Sequence, residues 1–269
     1  MSAVTVPIPS REAPSRVGFG QALRAEWIKL ASVRSTWWTL AAMVALGAGL
    51  TVLMCAANAD WLASESADES PGSFITWGMM IAQIAAVVLG ALVVTTEYGT
   101  GMIRTSFAAV PVRGRVIAAK AVVIAALLFV VGTVTALLGY VGGNYFLDRE
   151  GIGMALEGDV LRSMYGSGLF MAGLGLLAAA AGFVLRHTAG TITVVIAFVF
   201  VLGNMAMLVP GDVGDVLEKG MPGNAGAAIS TPVSFNPNLL DAWPGFGVFA
   251  VEIAVLMAIA WALLRTRDA

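Results

Sequence analysis

Six stretches of the chain, at about residues 36–57, 74–96, 116–139, 164–185, 191–209 and 246–264, are almost wholly apolar. Each holds about 19 to 24 residues, which at about 1.5 Å per helical residue matches a hydrocarbon layer about 30 Å thick. An open sheet would leave backbone groups unsatisfied in lipid, and the runs are too long for barrel strands. The pattern therefore predicts an all-α, polytopic membrane protein with six transmembrane helices.

Polar and apolar residues alternate differently between these runs. Over 19–33 the apolar residues Phe19, Leu23, Trp27, Leu30 and Val33 recur at helical spacing, with Arg24 and Lys29 on other faces. That pattern predicts an N-terminal helix lying flat at the membrane interface, with Trp27, Trp37 and Trp38 at headgroup depth; a solvated extension of the first span is the alternative. Residues 97–120 form a basic connector between the second and third runs. Gly99 and Gly101 break the helix that ends at Glu97, and a short new helix is expected from Met102 to Val110. Ile103, Phe107 and Val110 give it one apolar edge, Arg104 lies off that edge, and Pro111 stops it.

Composition agrees with a membrane assignment. The 269 residues are 58% hydrophobic and 12% charged, and their mean hydropathy is +0.86; a soluble domain carries about 25% charge. With the N-terminus inside and six crossings, twelve of the 15 Lys and Arg residues fall on the inner side. By the positive-inside rule both termini are then cytoplasmic. Residues 1–17, with Pro7, Pro9 and Pro14 and no signal-peptide apolar region, read as a disordered cytoplasmic tail, and 18–269 as one six-span domain. The outer connection 210–245 is too long for a minimal turn. It is either two short helices, Asp212 to Lys219 and Asn224 to Ser230, or an irregular exposed loop. Arg186 to Gly190 makes the fourth and fifth spans antiparallel neighbours.

Candidate chemistry is sparse. Cys55 has no partner for a disulfide and reads as packing, and His187 alone builds no metal site. Glu252, six residues into the last apolar run, and Asn204 at similar depth are placed to hydrogen-bond between helices. With Gln83 near mid-bilayer they are the candidates for a translocation path or dimer seam; snorkelling or plain packing is the alternative for Glu252. The small residues Gly168, Ala172, Gly175, Ala179 and Gly182 read as close helix packing. There is no chain of intramembrane Asp, Glu or His such as a proton-driven pump uses, and no G-x-x-x-x-G-K-[ST] phosphate loop. Any ATP hydrolysis is expected on a separate chain, and neither metal nor nucleic acid is expected as a partner.

Three segments carry a resemblance: ALRAEWIKLASVRSTWW at 22–38, EYGTGMIRTSF followed by PVRGRVIAAK across 97–120, and MPGNAGAAI at 221–229. With the six-span layout they resemble the permease subunit of a bacterial type-two ABC transporter, of the six-helix exporter class. The resemblance implies a plasma-membrane homodimer or heterodimer, surrounded by lipid. It also implies docking on an ABC ATP-binding subunit that uses ATP and Mg, with no cofactor on this chain. Coupling would run through the 97–115 loop, with Ile103, Arg104 and Phe107 seated in a groove of the ATPase and Glu97, Arg113 and Arg115 holding the loop. The alternatives are a membrane-embedded enzyme, for which Asn204 and Glu252 are a poor catalytic pair, and a channel, scaffold or immunity protein without an ATPase.

Overall fold

The computed structural model describes residues 18–266 except 111, 207, 234, 235, 237 and 238. The expected tail, the Pro111 stop and Arg267 of the charge count lie outside the described residues. Twelve α-helices follow in order: α1 (Phe19–Ser32), α2 (Arg34–Leu62), α3 (Pro71–Phe74), α4 (Met79–Gly99), α5 (Met102–Ala109), α6 (Arg113–Arg149), α7 (Gly158–Leu185), α8 (Thr188–Ile196), α9 (Leu202–Ala206), α10 (Asp212–Gly220), α11 (Pro222–Ala227) and α12 (Ala242–Thr266). A π-helical stretch, Ala197–Val201, joins α8 to α9, and a 3-10 turn, Ala228–Ser230, follows α11. The described residues form no strand.

Six helical segments are long and apolar enough to cross a membrane: Arg34–Leu62, Pro71–Gly99, Arg113–Arg149, Gly158–Leu185, Thr188–Ala206 and Ala242–Thr266. Five of them exceed the apolar runs that predict them. At 37 residues α6 is about 55 Å long and projects well past a hydrocarbon layer. Its far end, beyond the layer, is tied down by the loop that follows. The Tyr140 hydroxyl donates to the Met154 carbonyl at 2.6 Å, and the Met154 amide donates to Asn144 Oδ1 at 2.8 Å.

Helix α7 is the pillar of the bundle. It packs against α4, α6, α8 and α12, and is the most enclosed of the six spans. Its sequence explains this position, because small side chains let neighbours approach to backbone contact. A Cβ placed on Gly90 of α4 would collide with the Gly175 carbonyl oxygen of α7, and one on Gly175 would strike Leu128 of α6. Cys55 is buried against Gly143, the packing role its solitude suggests.

The 210–245 connection contains helices, and its details differ from expectation. Asp212 is the first residue of α10 rather than its cap, and Pro222 opens α11 instead of separating two helices. Proline at a helix's first positions loses no intrahelical bond. Pro222, Gly223, Ala225 and Gly226 are buried, so α11 is inserted into the end of the bundle rather than laid over it. Glu218 fixes that insertion: its carbonyl accepts from Asn224 Nδ2 at 2.9 Å and its carboxylate from Asn236 Nδ2 at 2.8 Å.

The Gly90–Gly175 contact can be tested by stability. Gly90→Ala forces α4 and α7 apart and is expected to destabilise the detergent-solubilised protein by about 1–3 kcal/mol, as overpacking does. Gly49→Ala, where a Cβ meets nothing within 4 Å, serves as the control. Equal melting temperatures for the two variants would show that this close approach is not a constraint.

Candidate functional site

The connector begins where α4 runs out of helix formers. Gly101 caps α5 with φ +73°, a left-handed conformation that favours glycine, and reverses the chain after Gly99 and Thr100. Helix α5 is amphipathic as expected, but its apolar edge turns inward. Ile103 is 2% exposed and Phe107 8%, both packed within the chain's own core. Met102, Arg104, Thr105, Ala108 and Ala109 form the exposed face. Ile103 and Phe107, which the resemblance implies would seat in a partner's groove, are covered here by the chain itself. Glycine breaks on one side and α6 on the other fold the short helix back onto α4 and α6.

Beneath α5 lies a cluster of four charges. Lys120, one turn into the apolar part of α6, is 2% exposed. Its ammonium reaches Glu26 Oε2 of α1 at 2.6 Å, Glu97 Oε1 of α4 at 2.9 Å and the Val93 carbonyl at 3.2 Å. Lys29 of α1 closes the cluster from the rim, at 2.7 Å from Glu26 Oε1, 3.0 Å from Glu97 Oε1 and 2.9 Å from Ser106 Oγ of α5. Two cations and two carboxylates balance, and they join α1, α4, α5 and α6 at one point. Glu97 Oε2 is buried with no hydrogen-bond partner among the described residues.

The electrostatics follow from this geometry. Burial works to raise the Glu26 pKa, but Lys120 and then Lys29 hold its carboxyl below the usual carboxylate range. Burial works to lower that of Lys29, but its hydrogen bond to Glu26 and the charges of Glu26 and Glu97 hold its ammonium above the usual lysine range.

Two further ties extend the connector. Arg113 donates to the Leu264 carbonyl in the last turn of α12, and its guanidinium lies over the Phe107 ring at 5.5 Å from the centroid. Arg115 sits half-buried in the first turn of α6. Among the sequence candidates, Glu97 and Arg113 thus hold the connector, and Arg104 stands exposed on it. Helix α1 turns to the bundle a face other than its apolar stripe. Its buried face is Ala22, Glu26 and Leu30, while Phe19 and Trp27 are exposed. Glu26 and Lys29 escape a reading based on hydrophobic spacing. The available signal was Lys120, a cation inside an apolar run that requires a counter-ion.

The membrane-depth candidates separate. Gln83 and Asn204 line one cavity of about 390 Å³ beneath the α11 insertion, together with Asn224 and Asn236. Each donates to a carbonyl of its own helix, Gln83 to Met80 at 2.9 Å and Asn204 to Phe200 at 2.6 Å. Glu252 lines a different cavity, between α7, α8 and α12. The expected Asn204–Glu252 hydrogen bond is absent because the two residues face different neighbours. Helix α12 starts four residues before its apolar run, and Glu252 lies about 15 Å along it.

The family profile described as ABC-2 family transporter protein matches residues 22–204, more than half of the chain, from the buried face of α1 to the end of the fifth span. The chain belongs to the ABC-2 transporter family. No curated protein matches it significantly. For an ABC-2 family membrane protein the four-charge cluster is the best-defined polar feature of the connector, and every one of its members lies within the matched residues.

Removing one partner from a buried ion cluster strands the others, at about 3–5 kcal/mol. Lys120→Met is expected to destabilise the fold by that order in a denaturant titration. Lys29→Met, at a site 30% exposed, should cost clearly less, since solvent screens it. Equal losses would mean that burial does not distinguish the two lysines.

The pH dependence has a definite sign. Because the Glu26 pKa is lowered on folding, its contribution is present above the ordinary carboxylate range and lost as pH falls through the folded value. Because that of Lys29 is raised, its contribution is present below the ordinary lysine range and lost as pH rises through the folded value. The distance between spin labels on Gln21 and Thr105 should therefore be constant around neutrality and broaden in acid and in strong alkali. A distance that drifts through the neutral range would contradict this assignment.

Proposed function

We propose that this chain is the permease subunit of an ATP-driven exporter, coupled to a separate ABC ATP-binding subunit through α5. The observation that carries the reading is the construction of α5: an exposed face bearing Arg104, and an inner face joined to three other parts of the bundle. Ser106 reaches α1 through Lys29, Ile103 and Phe107 belong to the core, and Arg113 at the start of α6 joins α12 through the Leu264 carbonyl. A force applied to the exposed face is thus delivered to several spans at once.

On this reading the end carrying α1 and α5 is cytoplasmic, as the Lys and Arg distribution favours, and the membrane is the bacterial plasma membrane. ATP and its Mg²⁺ are handled by the partner chain. Closure of the ATP-binding pair displaces α5 and shifts the population of span arrangements, opening a path along the seam with a second permease copy. Arg104 contributes the charged contact to the ATPase, with Met102, Thr105 and Ala108 around it. Glu97, Arg113 and Arg115 keep the connector stiff enough to transmit the displacement. Gln83 and Asn204 on one cavity and Glu252 on another are the polar points of the spans that such a path would meet.

The test is copurification from mild detergent with the ATP-binding subunit, followed by ATPase assay in liposomes. Arg104→Glu combined with Ala108→Asp alters only the exposed face, and is expected to abolish ATPase recovery and stimulation while leaving insertion and stability unchanged. Failure to recover any ATP-binding subunit with the wild-type chain, under conditions where such complexes survive, would overturn the reading.

A further inference from the structure

Glu252 lines a cleft of about 380 Å³ between α7, α8, the π-helical stretch, α11 and α12, open on the side where Phe198, Val255 and Ile259 are exposed. Its walls are apolar, with Leu177, Val184, Phe198, Leu256 and Ile259 as the larger contributors, and among the described residues Glu252 is the only titratable one lining it. Glu252 Oε2 is buried without a hydrogen-bond partner among the described residues. An acidic side chain inside a membrane-spanning helix is costly and is ordinarily retained with a partner or for a function.

We propose that this cavity binds a lipophilic monocation, an organic ion whose apolar body fills the space and whose single positive charge pairs with the Glu252 carboxylate. The size falls in the range of small-molecule sites, about 300–1,000 Å³, and such sites combine apolar walls with a few polar groups that set orientation. The chemistry excludes other classes. A sugar or nucleotide would bury hydroxyls and amides with nothing to pair them. An anion would meet the carboxylate. A hard inorganic cation needs six or more oxygen ligands, and this wall offers one carboxylate. A lipid tail or an apolar face of a second copy would fill the volume and leave the acid unpaired.

The site goes beyond the permease reading and does not rest on it, because binding requires neither ATP nor a partner chain. The experiment is equilibrium binding of radiolabelled tetraphenylphosphonium to the full chain in lipid nanodiscs, with tetraphenylborate as a probe of the same shape and opposite charge. Saturable binding of one cation per chain is expected, with Glu252→Gln raising the Kd at least tenfold. Leu256→Trp, which fills the cavity and keeps the carboxylate, should have a similar effect, and tetraphenylborate should not compete. The proposal is overturned if the wild type shows no saturable binding, or if Glu252→Gln binds as the wild type does. Equal competition by the two ions would also overturn it, and would instead identify an apolar groove for lipid tails or a second copy. Monodisperse elution and unchanged helicity of each variant guard against misfolding. If Glu252→Gln fails to fold, Leu256→Trp and the contrast between the two ions decide the matter.

Discussion

A lysine ammonium sealed inside a membrane protein needs opposite charge within reach, and Lys120 constrains this structure through that need. Its two counter-ions arrive from different directions, Glu26 from the helix that precedes the first span and Glu97 from the end of the second. Neither alone satisfies the geometry, because Lys29 must also be neutralised and both carboxylates are shared between the lysines. Burying ions is expensive, and replacing such a cluster by apolar residues often stabilises a fold. What the cluster supplies is registry: α1, α4 and α6 meet in one arrangement that brings the charges together, and Ser106 brings α5 into it.

The rest of the bundle solves a different problem. Apolar helices in lipid gain little from hiding apolar surface, so they associate by close fit. Helix α7 achieves this with glycine and alanine on the faces that meet α4 and α6, where backbones come into direct contact. One end of the bundle is thus fixed by charge and its middle by shape. The other end is fixed by an inserted helix, α11, whose buried small residues fit against the π-helical stretch. A Cβ on Gly223 would strike the Val199 carbonyl there. Widened turns of this kind are frequent at functional sites, and this one lies between the cavity of Gln83 and Asn204 and that of Glu252.

Hydropathy made the six spans readable, because a continuous apolar run of that length has few alternatives in lipid. The breaks at Gly99 and Gly101 and the apolar spacing of Ile103 and Phe107 were equally plain. What one-dimensional periodicity does not contain is which face of an amphipathic helix meets protein. Ile103 and Phe107 read as an edge offered to a partner, yet the chain covers that edge itself. Lys29 read only as lying off the apolar stripe of an interfacial helix and Glu26 gave no signal there, because the contact that draws Glu26 inside spans 94 residues. The pairing of Asn204 with Glu252 rested on equal depth, and depth does not fix rotation about the helix axis.

Helix α12 connects the two ends of the bundle. Near its last turn it is held by Arg113 through the Leu264 carbonyl, and about midway it carries Glu252 into the cavity it shares with α7. Helix α7 is enclosed by its neighbours, whereas much of α12 faces outward, with Val251, Val255 and Ile259 exposed. Under the proposed coupling, a movement of α5 would reach α12 through Arg113. The Glu252 cavity lies between α7 and α12, so the proposed displacement at the connector would act on it through one arginine and one helix. This requires no chain of small adjustments through the packed interior, where close packing resists continuous deformation. A transporter arranged in this way would couple an event at its surface to a change at membrane depth by moving a helix as a body.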